Sequence, residues 1–200
     1  MRRLVLATHN LHKVQEIRAV LGSLPYEILR ATDFPQLPEP EETGTTLAEN
    51  AIIKARALQT ATGCWALADD SGLEVDYLAG APGVISARFA GPGCTFDDNN
   101  AKILRLMAGI PDGERTARFR CVAALALEGG KVEVFDGVTE GIITQHPIGT
   151  AGFGYDPIFY SPELRCSFAE ASVEAKNRVS HRGRAFRRAA RRLKELATAL

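Results

Sequence analysis

The spacing of apolar residues along the chain changes several times, and each change marks an element. Leu4 to Ala7 is a short unbroken apolar run that predicts a buried strand, and Val14, Ile17, Val20 and Leu21 follow at helical spacing. Tyr26 to Leu29 predicts a second strand, after which Phe34 to Thr45 is rich in Pro, Glu and Gly and reads as a loop. Thr45 or Thr46 can cap a helix with Leu47, Ala51, Ala55 and Leu58 on one face, stopping near Thr62-Gly63, where glycine favours a helix end. Trp65 to Ala68 predicts a strand that delivers Asp69-Asp70-Ser71-Gly72 at its end.

The second half has a different rhythm. Gly- and Pro-rich sequence from Gly80 to Gly93 predicts an ordered loop, and Thr95 with Asp98 forms a capping box for a helix ending near Met107. Arg118 to Leu127 and Lys131 to Thr139 predict strands turning at Gly129-Gly130, with further strands at Gly141 to Thr144 and Ile158 to Tyr160 and a closing helix from about Ser180 to Ala199. Strand–helix alternation followed by hairpins predicts an α/β fold, a mixed sheet flanked by helices. No repeat or low-complexity linker divides the chain, so residues 1–200 are expected to form a single domain.

Composition narrows the class. A chain of 200 residues that is 46% hydrophobic can bury a sizeable core without disulfides. The cysteines Cys64, Cys94, Cys121 and Cys166 are widely spaced, with no C-x-x-C pair, and read as reduced packing residues. The apolar stretch at the N-terminus is shorter than a signal peptide's, and no segment approaches the length of a membrane span, which predicts a cytoplasmic location and no membrane partner. The 24 Lys+Arg and 24 Asp+Glu cancel, which argues against a stable nucleic-acid partner. The charges are nevertheless unevenly placed. Basic residues crowd the chain from Lys176 onward and acidic ones lie between Asp33 and Glu49, a distribution that suits a polyanion held partly by cations and partly through a metal.

Four segments carry candidate chemistry. Thr8-His9-Asn10-Leu11-His12-Lys13 sits where a strand feeds a helix, a place for either an anion site or an ordinary N-cap with a surface lysine. It contains neither a Walker loop nor G-x-G-x-x-G. Asp69-Asp70 at a strand's edge are costly unless they face solvent, bind a cation or cap a helix, and strand alternation sends the two carboxylates to opposite faces. Glu42 could add a second oxygen ligand for Mg²⁺. Gly152-Phe153-Gly154-Tyr155-Asp156-Pro157 offers an aromatic face on which a base could stack, or a tight turn whose Phe and Tyr plug the core. Finally, His181 and Arg182 open the last helix with Lys176 just upstream. Cations there oppose the helix dipole unless an anion compensates, whereas Arg187, Arg188, Arg191 and Arg192 read as its solvated face. By residue type, His12 and His146 read as surface residues.

Six strings occur in order: T-x-N-x-x-K from Thr8, E-T-G-x-T from Glu42 with E-N-A-x-x-K-A from Glu49, D-D-S-G-L-x-V-D from Asp69, G-A-P-G-x-x-S-A-R from Gly80, G-F-G-Y-D-P-x-F from Gly152, and K-x-x-x-S-H-R-G from Lys176. Together they closely resemble the bacterial branch of the inosine triphosphate pyrophosphatase family, also called HAM1-like. The match runs from Leu4 to about Arg184, with little of it between Cys94 and Thr150. The resemblance implies Mg²⁺-dependent hydrolysis of deaminated purine nucleoside triphosphates (ITP, dITP and XTP) to monophosphate and pyrophosphate, which cleanses the nucleotide pool. It also implies a homodimer and a long mixed sheet separating two lobes with an active cleft between them. By the same resemblance Thr8, His9, Asn10, Leu11, His12 and Lys13 contact the triphosphate, Glu42 and Asp70 hold the metal, and Asp70 is the general base. Ser71, Phe153, Gly154, Tyr155, Asp156, Lys176, His181 and Arg182 contact the substrate, and Lys54 is a further phosphate or catalytic candidate.

Two other readings compete. A phosphoribosyltransferase also ends an apolar strand in two acids, but Leu73-Glu74-Val75-Asp76 stands here in place of that class's Thr-Gly phosphate loop. A nucleotide sensor or nucleic-acid-binding module would use the basic C-terminal helix instead and would bind in a salt-sensitive way.

Overall fold

A computed structural model describes residues 2–8, 10–34, 36–37 and 40–198. Its elements run β1 (Arg2–Leu6), α1 (Leu11–Leu21), β2 (Tyr26–Arg30), α2 (Leu47–Thr62), β3 (Trp65–Val75), α3 (Phe96–Leu106), β4 (Thr116–Ala126), β5 (Val132–Ile143), β6 (Phe159–Ser161), β7 (Cys166–Ser167), α4 (Val173–Val179) and α5 (His181–Thr198). Among the described residues the strands form one open, mixed sheet in the order β2-β1-β3-β4-β5-β6-β7. β1 pairs in parallel with β2 and β3, Leu4 lying opposite both Ile28 and Trp65, while β6 pairs antiparallel with β5 and β7. The mixed sheet flanked by helices is the α/β arrangement that the apolar pattern predicts. No helix among the described residues is long and apolar enough to cross a membrane.

The chain divides into two compact units, one of Met1–Asp70, Cys121–Gly137 and Arg182–Leu200, the other of Ser71–Arg120 and Val138–His181. In the first, Leu4, Leu6, Trp65, Leu67, Cys121, Ala123 and Leu125 of the strands pack against Ile17 and Leu21 of α1 and Ala185, Phe186, Ala189 and Leu193 of α5. Tyr26 Oη closes this core by donating to the Leu193 carbonyl at 2.9 Å. The intervening strand residues Val5, Ala66 and Ala68 are equally buried, and α2 turns Leu47, Ala51, Ala55 and Leu58 inward. Strands covered on both faces read as unbroken apolar runs, which is why Leu4 to Ala7 carries no alternation. The second unit has its own core, in which Leu73, Val75, Ile103, Met107, Phe119, Ile143, Phe159 and Phe168 meet.

Local signals set the helix ends. Thr46 Oγ1 accepts the Glu49 N–H, Glu49 reaches back to the Thr46 N–H, and Gly63 ends α2 in the left-handed region at φ +67°. The Thr95–Asp98 box caps α3 in the same way. The exposed Arg187, Arg188 and Arg191 and the partly exposed Arg192 lie on the solvated side of α5, as expected, with Arg192 paired to Glu133 and Glu195.

Four expectations change. β3 does not stop at Ala68; it runs through both aspartates to Val75, because Leu73 and Val75 resume the buried pattern and the carboxylates find cations. The strands expected on either side of Glu140 are one, β5, with glycine at 141 because a Cβ there would collide with the Phe159 ring. The Gly80–Gly93 loop contains short 3₁₀ turns and is pinned through Ser86, whose Oγ donates to the Gly83 carbonyl at 2.6 Å and accepts the Leu73 N–H at 2.9 Å. A short helix, α4, precedes the last one, capped by Ser172 and separated from α5 by the extended Ser180. The end of α5 predicted at Ala199 lies outside the described residues.

Candidate functional site

In the first unit Asn10 is the N-cap of α1; its Oδ1 accepts the His12 and Lys13 N–H groups at 3.0 and 3.3 Å, and Thr8 Oγ1 accepts the Asn10 N–H at 3.2 Å. The N-cap is present, with Leu11 and His12 exposed on the first turn, but position 13 is not the surface lysine of that reading. His9 lies outside the described residues. The Lys13 ammonium turns back to Asp69, Nζ to Oδ2 at 3.1 Å.

Asp69 and Asp70 use opposite faces of β3, as alternation requires. Asp69 is wholly buried and meets Lys13 of α1 and Arg182 of α5, the latter Nε to Oδ2 at 3.4 Å. Arg182 Nη1 also pairs with Glu16 Oε2 at 2.6 Å. Two cations and two carboxylates balance, so the cation at the start of α5 meets its compensating anions inside the protein. Burial alone would raise the Asp69 carboxyl; Lys13 and Arg182 outweigh it and hold the group well below the ordinary carboxylate range.

Asp70 faces α2. Its Oδ1 lies 3.2 Å from Lys54 Nζ, its Oδ2 accepts from Asn50 Nδ2 at 3.2 Å, and Lys54 also reaches Glu42 Oε1 at 2.9 Å. Asn50 Oδ1 accepts the Gly44 N–H at 2.8 Å, which ties the loop bearing Glu42 to the same group. Here one ammonium faces two carboxylates, leaving one negative charge over. Burial, aided by the Glu42 charge and opposed by Lys54, raises the Asp70 pKa, while the surrounding carboxylates overcome burial and raise that of Lys54.

Among the described residues no group of three or more His, Cys, Asp or Glu side chains is arranged to hold a metal ion. The pair of Glu42 and Asp70 nevertheless has the donor chemistry of a hard cation that takes one or two carboxylates and completes its shell with phosphate oxygens and water. The surplus negative charge fits such a cation.

The second unit holds the other candidates. Phe153 and Gly154 are partly exposed, while Tyr155 is buried and donates its hydroxyl to the Ser86 carbonyl at 2.7 Å. The two readings of this segment therefore divide between its aromatics: Tyr155 plugs the core and Phe153 keeps an accessible ring. Asp156 Oδ2 accepts the Phe153 N–H at 2.8 Å and pairs with Lys176 Nζ at 2.6 Å, in a buried ion pair whose ammonium lies 5.0 Å from the Phe153 ring centroid. Glycine at 152, with φ +76°, is obligatory because a Cβ would strike the Asp156 carboxylate. His181 is buried and stacks on Phe119, ring centroids 4.6 Å apart. Ser71 is half-buried on β3, next in sequence to Asp70.

Two residues of these clusters, Glu16 and Asn50, are not candidates by sequence. Glu16 is three residues beyond Lys13 and Asn50 four before Lys54, so each shares a helix face with a recognised lysine, which is the signal that could have found them. Asp69, Lys13 and Arg182 are each candidates by sequence, but nothing local shows that they pair.

An open mixed-sheet α/β protein with lysine-held carboxylates along an interior strand is the class these elements define. The Ham1 family profile matches residues 4–192, and the chain belongs to that family. It is 51% identical over 187 residues to the dITP/XTP pyrophosphatase of Desulforamulus reducens, covering 94% of this chain and 93% of that protein. To the dITP/XTP pyrophosphatase of Geobacter sulfurreducens it is 52% identical over 186 residues, covering 93% and 94%. Among solved structures, a HAM1 protein from Coxiella burnetii superposes with a TM-score of 0.89 at 43% identity, covering 98% of this chain and all of that one.

Proposed function

We propose that this chain is a nucleoside triphosphate pyrophosphatase that cleaves ITP, dITP and XTP to the monophosphate and pyrophosphate with Mg²⁺, and so clears deaminated purines from the nucleotide pool. The observation that carries the reading is the Glu42–Lys54–Asp70 cluster with its surplus negative charge, in a chain whose relatives bear the name dITP/XTP pyrophosphatase. Glu42 and Asp70 would hold the metal, which when bound neutralises charge on the phosphoryl oxygens.

The chain's own residues do the rest. Asp70 orients and deprotonates the water that attacks the α-phosphorus. Its carboxylate is fixed by Asn50 on one oxygen and Lys54 on the other, the positioning that a general base needs. Lys13 and its upstream neighbours from Thr8 receive the phosphates, and Lys54 counters charge developing on the pyrophosphate leaving group. Phe153 stacks the purine, backed by Lys176 and Asp156, and Ser71, Gly154 and Tyr155 are further substrate-contact candidates. Donors from the His181-Arg182 segment or nearby backbone select a 6-oxo group. An adenine 6-amino group would set donor against donor, and sites of that kind discriminate by factors of about 10⁴–10⁵. The active form is a homodimer in the cytoplasm.

A nucleotide panel with and without Mg²⁺, resolving pyrophosphate from orthophosphate, tests this reading. Pyrophosphate release from ITP, dITP and XTP, with ATP poor and no second substrate required, is expected. Orthophosphate as the product, or equal cleavage of ATP, would overturn it.

A further inference from the structure

Phe96 is the first residue of α3, directly after the capping Thr95, and its side chain has no core to enter: the residue is 46% exposed. It is not isolated. Its ring lies 6.2 Å from that of Phe153, centroid to centroid, with the planes at 48°, inside the range of a favourable aromatic pair. One helical turn further on, the buried Asn100 donates from Nδ2 to the Gly154 carbonyl at 3.0 Å, so α3 is fastened to the very segment that carries Phe153. Phe153 is fixed in turn by the Asp156 carboxylate on its N–H and by the Lys176 ammonium near its ring. The two rings thus lie beside one another on segments tied together through Asn100 and Gly154, and Phe96 keeps nearly half its surface in water. An exposed ring set against a second aromatic in this way suits a flat, apolar-faced ligand better than it suits solvent.

We propose that Phe96 is a second aromatic residue of the base site, a specificity-determining residue that works with Phe153. A bicyclic purine offers enough face to touch both rings, whereas a single-ring pyrimidine covers only one, so the pair favours purines as a class, and the 6-oxo selection acts within that class. The inference rests on the function proposed above. The competing role for Phe96 is purely supportive, an apolar prop for Phe153.

Substitutions of Phe96 in the full chain separate the two, read by KM for ITP and by the Ki of inorganic tripolyphosphate, a competitor with no base. Phe96→Ala and Phe96→Leu are both expected to raise KM for ITP about 5–20-fold, with kcat within about twofold and an unchanged tripolyphosphate Ki, in keeping with the worth of one base–aromatic stack. Phe96→Trp should restore KM. Calorimetric binding of inosine monophosphate should weaken in parallel with KM. A Leu variant that matches wild type would reduce Phe96 to a prop, and KM and Ki rising together would mean general disorder of the site; either result overturns the proposal. Wild-type protein that cleaves none of ITP, dITP and XTP would instead overturn the reading beneath it, and this inference with it.

Discussion

Asp69 and Asp70 are consecutive residues of β3 whose carboxylates are held by different cations, Lys13 and Arg182 for the first and Lys54 for the second. The first set is electrically balanced with Glu16, and the second carries one negative charge over. Neighbouring acids thus sit in two differently charged surroundings, and the proposed chemistry falls to the second.

Asp70→Asn should fold, bind nucleotide and lose hydrolysis. Removing a positioned general base lowers kcat by about 10²–10⁴-fold. Pyrophosphate release gives kcat, and calorimetry with ITP gives the retained affinity. Near-full turnover would reassign the base.

Asp69→Asn should act mainly on stability. It leaves Lys13 and Arg182 facing Glu16 with one anion removed from a buried network, a change of about 3–5 kcal/mol in urea unfolding. The effect depends on pH with a definite sign. Burial tends to raise the folded carboxyl, but Lys13 and Arg182 take it below its unfolded value of about 3.9. The stabilisation is therefore complete well above pH ~4 and fades as the pH falls below it. The stability gap between wild type and Asp69→Asn should be constant from pH 7 to about 5 and shrink at lower pH. A gap that grew on acidification would contradict the assignment.

Phe153→Ala should raise KM for ITP and XTP alike, since a phenyl face stacks any base for about 1–3 kcal/mol. An unchanged KM would return Phe153 to a packing role.

Arg115→Lys should destabilise the protein by ~3 kcal/mol. The guanidinium is 1% exposed and donates to the Met107, Ile110, Ile143 and Thr144 carbonyls, joining the C-terminal end of α3 to the end of β5. An ammonium cannot reach that set from one nitrogen, and each buried carbonyl left unpaired costs about 1–3 kcal/mol. Urea unfolding measures the loss; a midpoint within error of wild type would refute it.

Much of the fold could be read from the chain because its determinants are local. The Thr46–Glu49 and Thr95–Asp98 boxes and Gly63 mark helix ends within a few residues, and unbroken apolar runs mark strands with both faces covered. β3 was cut short for the opposite reason. Asp-Asp-Ser-Gly has the composition of a turn, and only Lys13, Lys54 and Arg182, far away in sequence, make it tolerable as buried strand. Lys13, Glu42, Lys54, Phe153 and Lys176 stood out through motif and residue type. Glu16 and Asn50 did not, because an acid on a helix and an amide beside it look like ordinary surface until the tertiary structure turns them inward. The apparent conflict at Arg182 had the same origin, since its anions arrive from α1 and β3.

The Asn50 amide has one acceptor end and one donor end, and both are engaged: Gly44 N–H on the first, Asp70 on the second. Rotating it by half a turn would set oxygen against carboxylate and nitrogen against N–H, so its orientation is unambiguous. Aspartate at position 50 would add repulsion toward Asp70, and leucine would strand a backbone donor. A wandering of the acidic loop is therefore felt at the Asp70 carboxylate through Asn50 as well as through Lys54, and few exchanges at position 50 would leave both ends of the amide link intact.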